Sequence, residues 1–95
     1  MTRDQVLKKL QEHKEEIRQF GVTRLCLFGS FARGSQNEQS DVDFVVEFKS
    51  KSFDAYMDLK LYLESLLGRR VDLVLMTAIK PRLKSQILNE LVDAA

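Results

Sequence analysis

The stretch LFGSFARGSQNEQSDVDFVVEF, residues 27–48, runs from one apolar segment through a glycine-containing turn and a polar loop into a second apolar segment. The second segment, 42–46, is typical of a buried strand, yet it contains Asp43 and is preceded by Asp41. A buried carboxylate without a partner costs several kcal/mol. No lysine or arginine lies within the segment, so a bound cation is the economical partner.

The two aspartates have the spacing of strand residues that share a face. Side chains two apart point to the same side, and at a rise of about 3.3 Å per residue Asp41 and Asp43 would stand about 6–7 Å apart. Mg²⁺ suits such a pair because it combines a few carboxylates with phosphate oxygens and waters. Cys26, alone in a strand, and His13, in a charged helical segment, do not favour a zinc site.

The turn that precedes the aspartates is suited to phosphate. Gly29 and Ser30 lie where a strand runs into a short helix, and free backbone N–H groups at such a point attract anions. Arg33, one turn further on, can reach the same phosphate, and Gly34 lets the chain turn into the loop. A phosphate cradle facing a carboxylate pair indicates metal-assisted phosphoryl or nucleotidyl transfer.

The residues on the N-terminal side of this stretch predict a helix and a strand. Thr2 and Gln5 have the spacing of a capping box. Apolar residues then recur at roughly helical spacing up to a stop at Gly21: Val6, Leu7, Leu10, Ile17 and Phe20. We expect a buried strand at 23–28, a turn or two of helix at 30–34, an exposed loop at 35–40 and a second strand at 41–48.

The C-terminal half predicts two helices and a third strand. After a solvated linker, KSKS at 49–52, Ser52 can cap a helix that continues to Gly68. The third strand, 71–76, again carries one acid, Asp72, inside an apolar run. Pro81 suits the first turn of a last helix, whose expected buried face is Leu83, Ile87, Leu88, Leu91 and Val92. The predicted order is α-β-α-β-α-β-α.

Size and composition limit the classes of function. The 95 residues suit one domain, 1–95, with a modest core and no separate substrate domain. Fifteen basic and fourteen acidic residues give a formal charge of +1, so no overall electrostatic field draws the chain to nucleic acid or to an anionic membrane. The single cysteine and the absence of an apolar signal segment or membrane span lead us to expect a soluble, cytoplasmic protein.

The motif carries a family resemblance. Gly29-Ser30, ten residues, then Asp41-Val42-Asp43 reproduces G-S-x10-D-x-D, and FGSFARG…SDVDFVV resembles the minimal nucleotidyltransferases of the polymerase-β-like superfamily. The resemblance covers nearly the whole chain and implies an α+β fold around a three-stranded mixed sheet. It implies a third carboxylate on the following strand, the place filled by Asp72. It also implies that the three aspartates bind two Mg²⁺ ions while Gly29, Ser30 and Arg33 bind ATP.

The resemblance extends to the MntA-type antitoxins of HEPN–MNT toxin–antitoxin pairs. It implies that the chain transfers AMP from ATP to a tyrosine of an all-helical HEPN ribonuclease toxin and so silences it. Neither a membrane nor direct nucleic-acid binding is expected. The base preference stays open, as does the choice between a homo-oligomer and a hetero-oligomer with the toxin.

Several alternatives remain open at this level. The chain could be a non-catalytic antitoxin that covers its partner, or a transferase acting on a small molecule. Asp72 could pair with Arg69 or Arg70, Gly29 and Ser30 could form an ordinary turn, and Arg33 could be solvated. The complete set of three acids, expected to be buried and mutually repulsive, favours the enzyme over a degenerate binding module.

Overall fold

The computed structural model describes residues 1–50 and 52–95; Lys51, in the predicted linker, lies outside them. The helices are α1 (Arg3–Glu12), α2 (Lys14–Gln19), α3 (Gly29–Arg33), α4 (Phe53–Leu67) and α5 (Pro81–Glu90), with a 3₁₀ turn at Met76–Ala78. The strands are β1 (Val22–Phe28), β2 (Val42–Phe48), β3 (Val71–Leu75) and β4 (Val92–Asp93). Among the described residues, no helix is long and apolar enough to cross a membrane.

The sheet is mixed, with the order β3-β2-β1-β4. β2 pairs with β1 antiparallel and with β3 parallel, so the predicted α+β class and mixed sheet are confirmed. The predicted strand count of three is one short, because Val92 and Asp93 pair antiparallel with Leu27 and Cys26 of β1. The last helix therefore ends at Glu90, before the residues expected to complete it.

Two further expectations about the helices are wrong. The predicted N-terminal helix is two helices, broken at His13, where the imidazole Nδ1 lies 2.8 Å from the Lys9 carbonyl oxygen. That oxygen would accept the His13 N–H in a continuous helix. The predicted buried face of α5 is not buried, since Leu83 is 42% and Leu88 39% exposed. α5 packs beside α3.

The helix caps and stops follow the predicted signals. Thr2 and Gln5 form the reciprocal capping box of α1, and the Ser52 hydroxyl accepts from the Ala55 N–H at the start of α4. α4 ends at Gly68, whose φ of +65° is left-handed. Its Glu64 carboxylate then accepts the Val71 N–H, which fixes where β3 begins.

The hydrophobic core lies on one face of the sheet. Alternate residues of β1 and β2 are buried there with α1, α2 and α4; the largest are Leu10, Ile17, Leu25, Leu27, Phe44, Leu59 and Leu63. Phe44 and Asp43 are neighbours in β2, so their side chains point to opposite faces. The period of two therefore places Asp43 on the face away from the core.

Candidate active site

Three aspartates meet at one end of the sheet. Asp43 lies directly opposite Asp72 in the parallel pairing of β2 with β3, so both side chains leave the same face. Asp41 lies two residues before Asp43, just ahead of β2. The structure thus brings Asp72, from the following strand, beside Asp43, and both Asp72 and Asp41 lie near enough to repel the Asp43 carboxylate.

Asp43 is the most enclosed of the three. It is half-buried, whereas Asp41 and Asp72 are exposed, so the expectation of three buried acids is wrong for two of them. Burial, followed by repulsion from Asp72 and Asp41, raises the pKa of Asp43, while Arg33 opposes the shift. Positive charge is therefore scarce around Asp43, and the described residues form no ion pair between Asp72 and Arg69 or Arg70.

Glycine at position 29 allows the turn after β1 to pass close to the Asp43 side chain. Phe28 pairs with Asp43 across β1 and β2, so the next residue, Gly29, begins α3 against the Asp43 side chain. A Cβ at Gly29 would overlap the Asp43 carboxylate Oδ2, and the backbone there has a φ of +74°. Both features favour glycine at this position. The backbone at Gly29 therefore lies close to the Asp43 carboxylate.

The remaining predicted phosphate ligands lie on α3. Ser30 is half-buried, and its hydroxyl takes part in none of the side-chain hydrogen bonds among the described residues. Arg33 is exposed, and its Nη1 lies 3.4 Å from Glu90 Oε2 of α5. Because α3 has only five residues, its dipole adds little, and its free N–H groups and these two side chains are the available donors.

The donor set fits magnesium. Within 1–50 and 52–95, no three His, Cys, Asp or Glu side chains converge closely enough to hold a metal by themselves. Mg²⁺ does not require such a cage, because phosphate oxygens and waters complete its coordination shell. Burial, and then repulsion from Asp72 and Asp41, raise the pKa of Asp43, and a cation placed between the carboxylates would relieve that repulsion.

A polar cleft of about 370 Å³ opens beside Asp41. Its walls are residues 38–41, from the loop before β2, and residues 68–70, from the turn before β3. The sequence suggested Arg69 only as an ion-pair partner of Asp72, whereas in the structure Arg69 lines this cleft and donates to two loop carbonyls. A lone arginine between a helix and a strand carries no sequence signal for such contacts.

Comparison with known proteins identifies the family. The sequence model of the nucleotidyltransferase domain matches residues 10–94, nearly the whole chain. The chain belongs to the nucleotidyltransferase family. It is 40% identical over 94 residues to the protein adenylyltransferase MntA of Thermococcus cleftensis, an alignment that covers 97% of this chain and 95% of that protein. The resemblance inferred from the motif is therefore confirmed, and the chain is a nucleotidyltransferase.

Solved structures share the fold. One provisionally named a minimal nucleotidyltransferase has a TM-score of 0.85 and 35% identity, covering 97% of this chain and 95% of its own. The MNT antitoxin in complex with the tri-AMPylated HEPN toxin of Shewanella oneidensis has a TM-score of 0.59 at 22% identity. That alignment covers 90% of this chain and 71% of the matched chain, and it shows a common fold.

Proposed function

We propose that this nucleotidyltransferase transfers AMP from ATP to a tyrosine hydroxyl of a helical HEPN toxin and so acts as its antitoxin. The observation that carries the proposal is the meeting of Asp41, Asp43 and Asp72 opposite the Gly29 turn, where a triphosphate can approach the backbone. The similarity to a protein adenylyltransferase and the fold shared with an antitoxin of an AMPylated toxin support the acceptor class.

The proposed step is a displacement at the α-phosphorus of ATP. The acceptor oxygen forms a bond to this phosphorus as the bond to the bridging oxygen of the β-phosphate breaks, and pyrophosphate leaves. The exposed carboxylate of Asp72 accepts the proton that the hydroxyl loses. Ser30, Arg33 and the N–H groups at the start of α3 hold the triphosphate.

Asp41, Asp43 and Asp72 would hold Mg²⁺, two ions in our proposal, which would neutralise charge on the phosphates and stabilise the charge that develops in transfer. The chain's own contribution is to place these carboxylates at one end of the sheet. The pairing of β2 with β3 sets Asp43 beside Asp72, and apolar side chains of both strands pack in the hydrophobic core. Little reorganisation is then needed when substrate binds.

The acceptor would bring its own binding surface. The helices and strands account for most of the described residues, and residues 1–50 and 52–95 contain no second lobe that could enclose an acceptor. The cleft between 38–41 and 68–70 is open and lies against Asp41. A protein can present a side-chain hydroxyl there, and a tyrosine reaches further than serine or threonine. These features support a protein acceptor over a small molecule.

We expect the helical protein encoded by the adjacent gene to gain AMP when it is incubated with this chain, Mg²⁺ and ATP. Intact-mass measurement of both proteins should show AMP-sized steps on the partner only. The steps should disappear when the modified tyrosine is changed to phenylalanine. Transfer to an added aminoglycoside or RNA end, with the partner unmodified, would contradict the proposed acceptor and leave nucleotidyl transfer intact.

We also expect Mg²⁺ and ATP together to raise the melting temperature more than either does alone. The carboxylates repel one another without a cation, and a ligand that binds only the folded state stabilises it by about 2.7 kcal/mol at 100 times its Kd. A thermal-shift series with Mg²⁺, ATP and both tests this. Equal curves in every condition would argue that the chain is a non-catalytic antitoxin.

A further inference from the structure

Arg69 connects the two walls of the polar cleft. Its Nη1 donates to the carbonyl oxygens of Glu38 and Ser40, each at 3.2 Å. The guanidinium carbon also lies 5.4 Å from the centre of the Phe31 ring, in the range of a cation–π contact. Phe31 is fully buried in α3, between Ser30 and Arg33. One half-buried side chain thus contacts both the loop before β2 and the helix that carries the predicted phosphate ligands.

The segment 69–70 holds the backbone on both sides of Asp41. On the N-terminal side, the Arg69 side chain binds the Ser40 carbonyl. On the C-terminal side, the Val42 N–H donates to the Arg70 carbonyl oxygen at 2.9 Å. Asp41 itself is exposed, and it precedes β2 rather than lying within its ladder. Without the Arg69 contact, the backbone before Asp41 would be held only within its own loop, where Ser40 and Asn37 are hydrogen-bonded to each other.

We propose that Arg69 is a positioning residue that places Asp41 for catalysis, an inference that rests on the proposed nucleotidyl transfer. Arg69 acts through the loop and not by binding ATP. Its Nη1 donates to two loop carbonyls, and the guanidinium lies over the Phe31 ring. The turn 68–70 joins α4 to β3, the strand that carries Asp72. Arg69 therefore attaches the loop before Asp41 to the start of that strand.

The contacts require an arginine and not merely a positive charge. The flat guanidinium can donate to two carbonyls while it stacks over a ring. A lysine ammonium is a compact charge on a flexible chain, which loses the stacking and the fixed direction of the donors. Arg69→Lys therefore separates positioning from simple charge, because it keeps the charge and loses the geometry.

The test compares Arg69→Gln and Arg69→Lys with Arg18→Gln, a matched change at an exposed arginine of α2. Hydrogen exchange is measured at the amides of Ser40 and Val42, and AMP transfer at varied Mg²⁺ and ATP. We expect both Arg69 variants to exchange these amides about tenfold faster than the wild type. We expect their kcat to fall about 100-fold with KM for ATP unchanged, since small misplacements of a reacting group have effects of that size.

Several results would overturn the role of Arg69. Unchanged exchange in both variants would show that Arg69 does not hold the loop. Full activity of Arg69→Lys would mean that charge alone matters, and a raised KM for ATP with kcat unchanged would mean direct nucleotide contact. If the wild type transfers no AMP to any acceptor, the proposed function fails, and the exchange measurement still decides whether Arg69 positions Asp41.

Discussion

Asp43→Asn is expected to lower the rate of AMP transfer about 1,000-fold and to stabilise the nucleotide-free protein slightly. As a metal ligand in the proposed function, the carboxylate would contribute charge for binding Mg²⁺, and its loss should cost about 4 kcal/mol of transition-state stabilisation, which is about 1,000-fold in rate. Asparagine has nearly the same shape as aspartate, so the contact with the Gly29 turn is kept. Transfer rates of the wild type and of Asp43→Asn measure the loss of activity, and their melting temperatures measure the change in stability.

The stability change has a definite dependence on pH. The pKa of Asp43 is raised in the folded chain, so the folded state binds its proton more tightly than the unfolded state does. Ionisation of Asp43 consequently lowers the free energy of unfolding as the pH rises through the carboxyl range. The advantage of Asp43→Asn over the wild type should be present at neutral pH and vanish below the unfolded pKa, about 3.9.

Asp58→Asn is the matched control for Asp43→Asn. Asp58 is exposed on α4, outside the candidate site, and its replacement should leave the transfer rate unchanged. A measurable transfer rate in Asp43→Asn within tenfold of the wild type would contradict the assignment of Asp43 as a metal ligand. Lower stability of Asp43→Asn at neutral pH would contradict the proposed repulsion among the three carboxylates.

Gly29→Ala is expected to reduce AMP transfer about 100-fold through displacement of Asp43. The new Cβ would overlap the Asp43 carboxylate, which must move away from its place beside Asp72. The left-handed backbone, with a φ of +74°, adds a cost of about 1–2 kcal/mol for any residue with a side chain. Denaturant unfolding and transfer rates of the same preparation distinguish the two contributions.

Gly21→Ala separates backbone strain from contact with the carboxylate. Gly21 has a φ of +86°, and a Cβ there meets nothing within 4 Å. The two variants share the strain, so we expect Gly21→Ala to lose 1–2 kcal/mol of stability, roughly, and to keep the wild-type transfer rate. Equal transfer rates in the two variants would show that the close approach of Gly29 to Asp43 is not needed for activity.

Local sequence patterns were sufficient for most of the fold. The capping box at Thr2, the cap at Ser52 and the stop at Gly68 depend on residues within one helical turn, so each could be predicted without knowledge of the rest of the chain. The three main strands followed from short apolar runs bounded by polar or glycine residues. The spacing of Gly29, Ser30, Asp41 and Asp43 indicated the family, which the comparisons confirm.

Predictions from the sequence were wrong where the burial or pairing of a residue depends on a segment distant along the chain. The apolar stripe of α5 predicts a buried helix face, but Leu83 and Leu88 remain 42% and 39% exposed, although α5 packs beside α3. Val92 continues the same stripe, yet it leaves the helix to pair with Leu27, a residue of the first strand. Periodicity describes which residues share a face, and it contains no information on what covers that face.

The sequence by itself determined which residue types stand on each element: the glycine and serine at the turn, the two aspartates at a strand spacing and a third aspartate on the next strand. Only the tertiary structure decided that Asp43 and Asp72 lie side by side. Their register is set by the parallel pairing of β2 with β3, two strands that α4 separates along the chain. It also decided that Arg69 binds the loop before Asp41, a contact across some thirty residues. Such contacts depend on how the helices pack on the sheet, and packing is a property of the complete core.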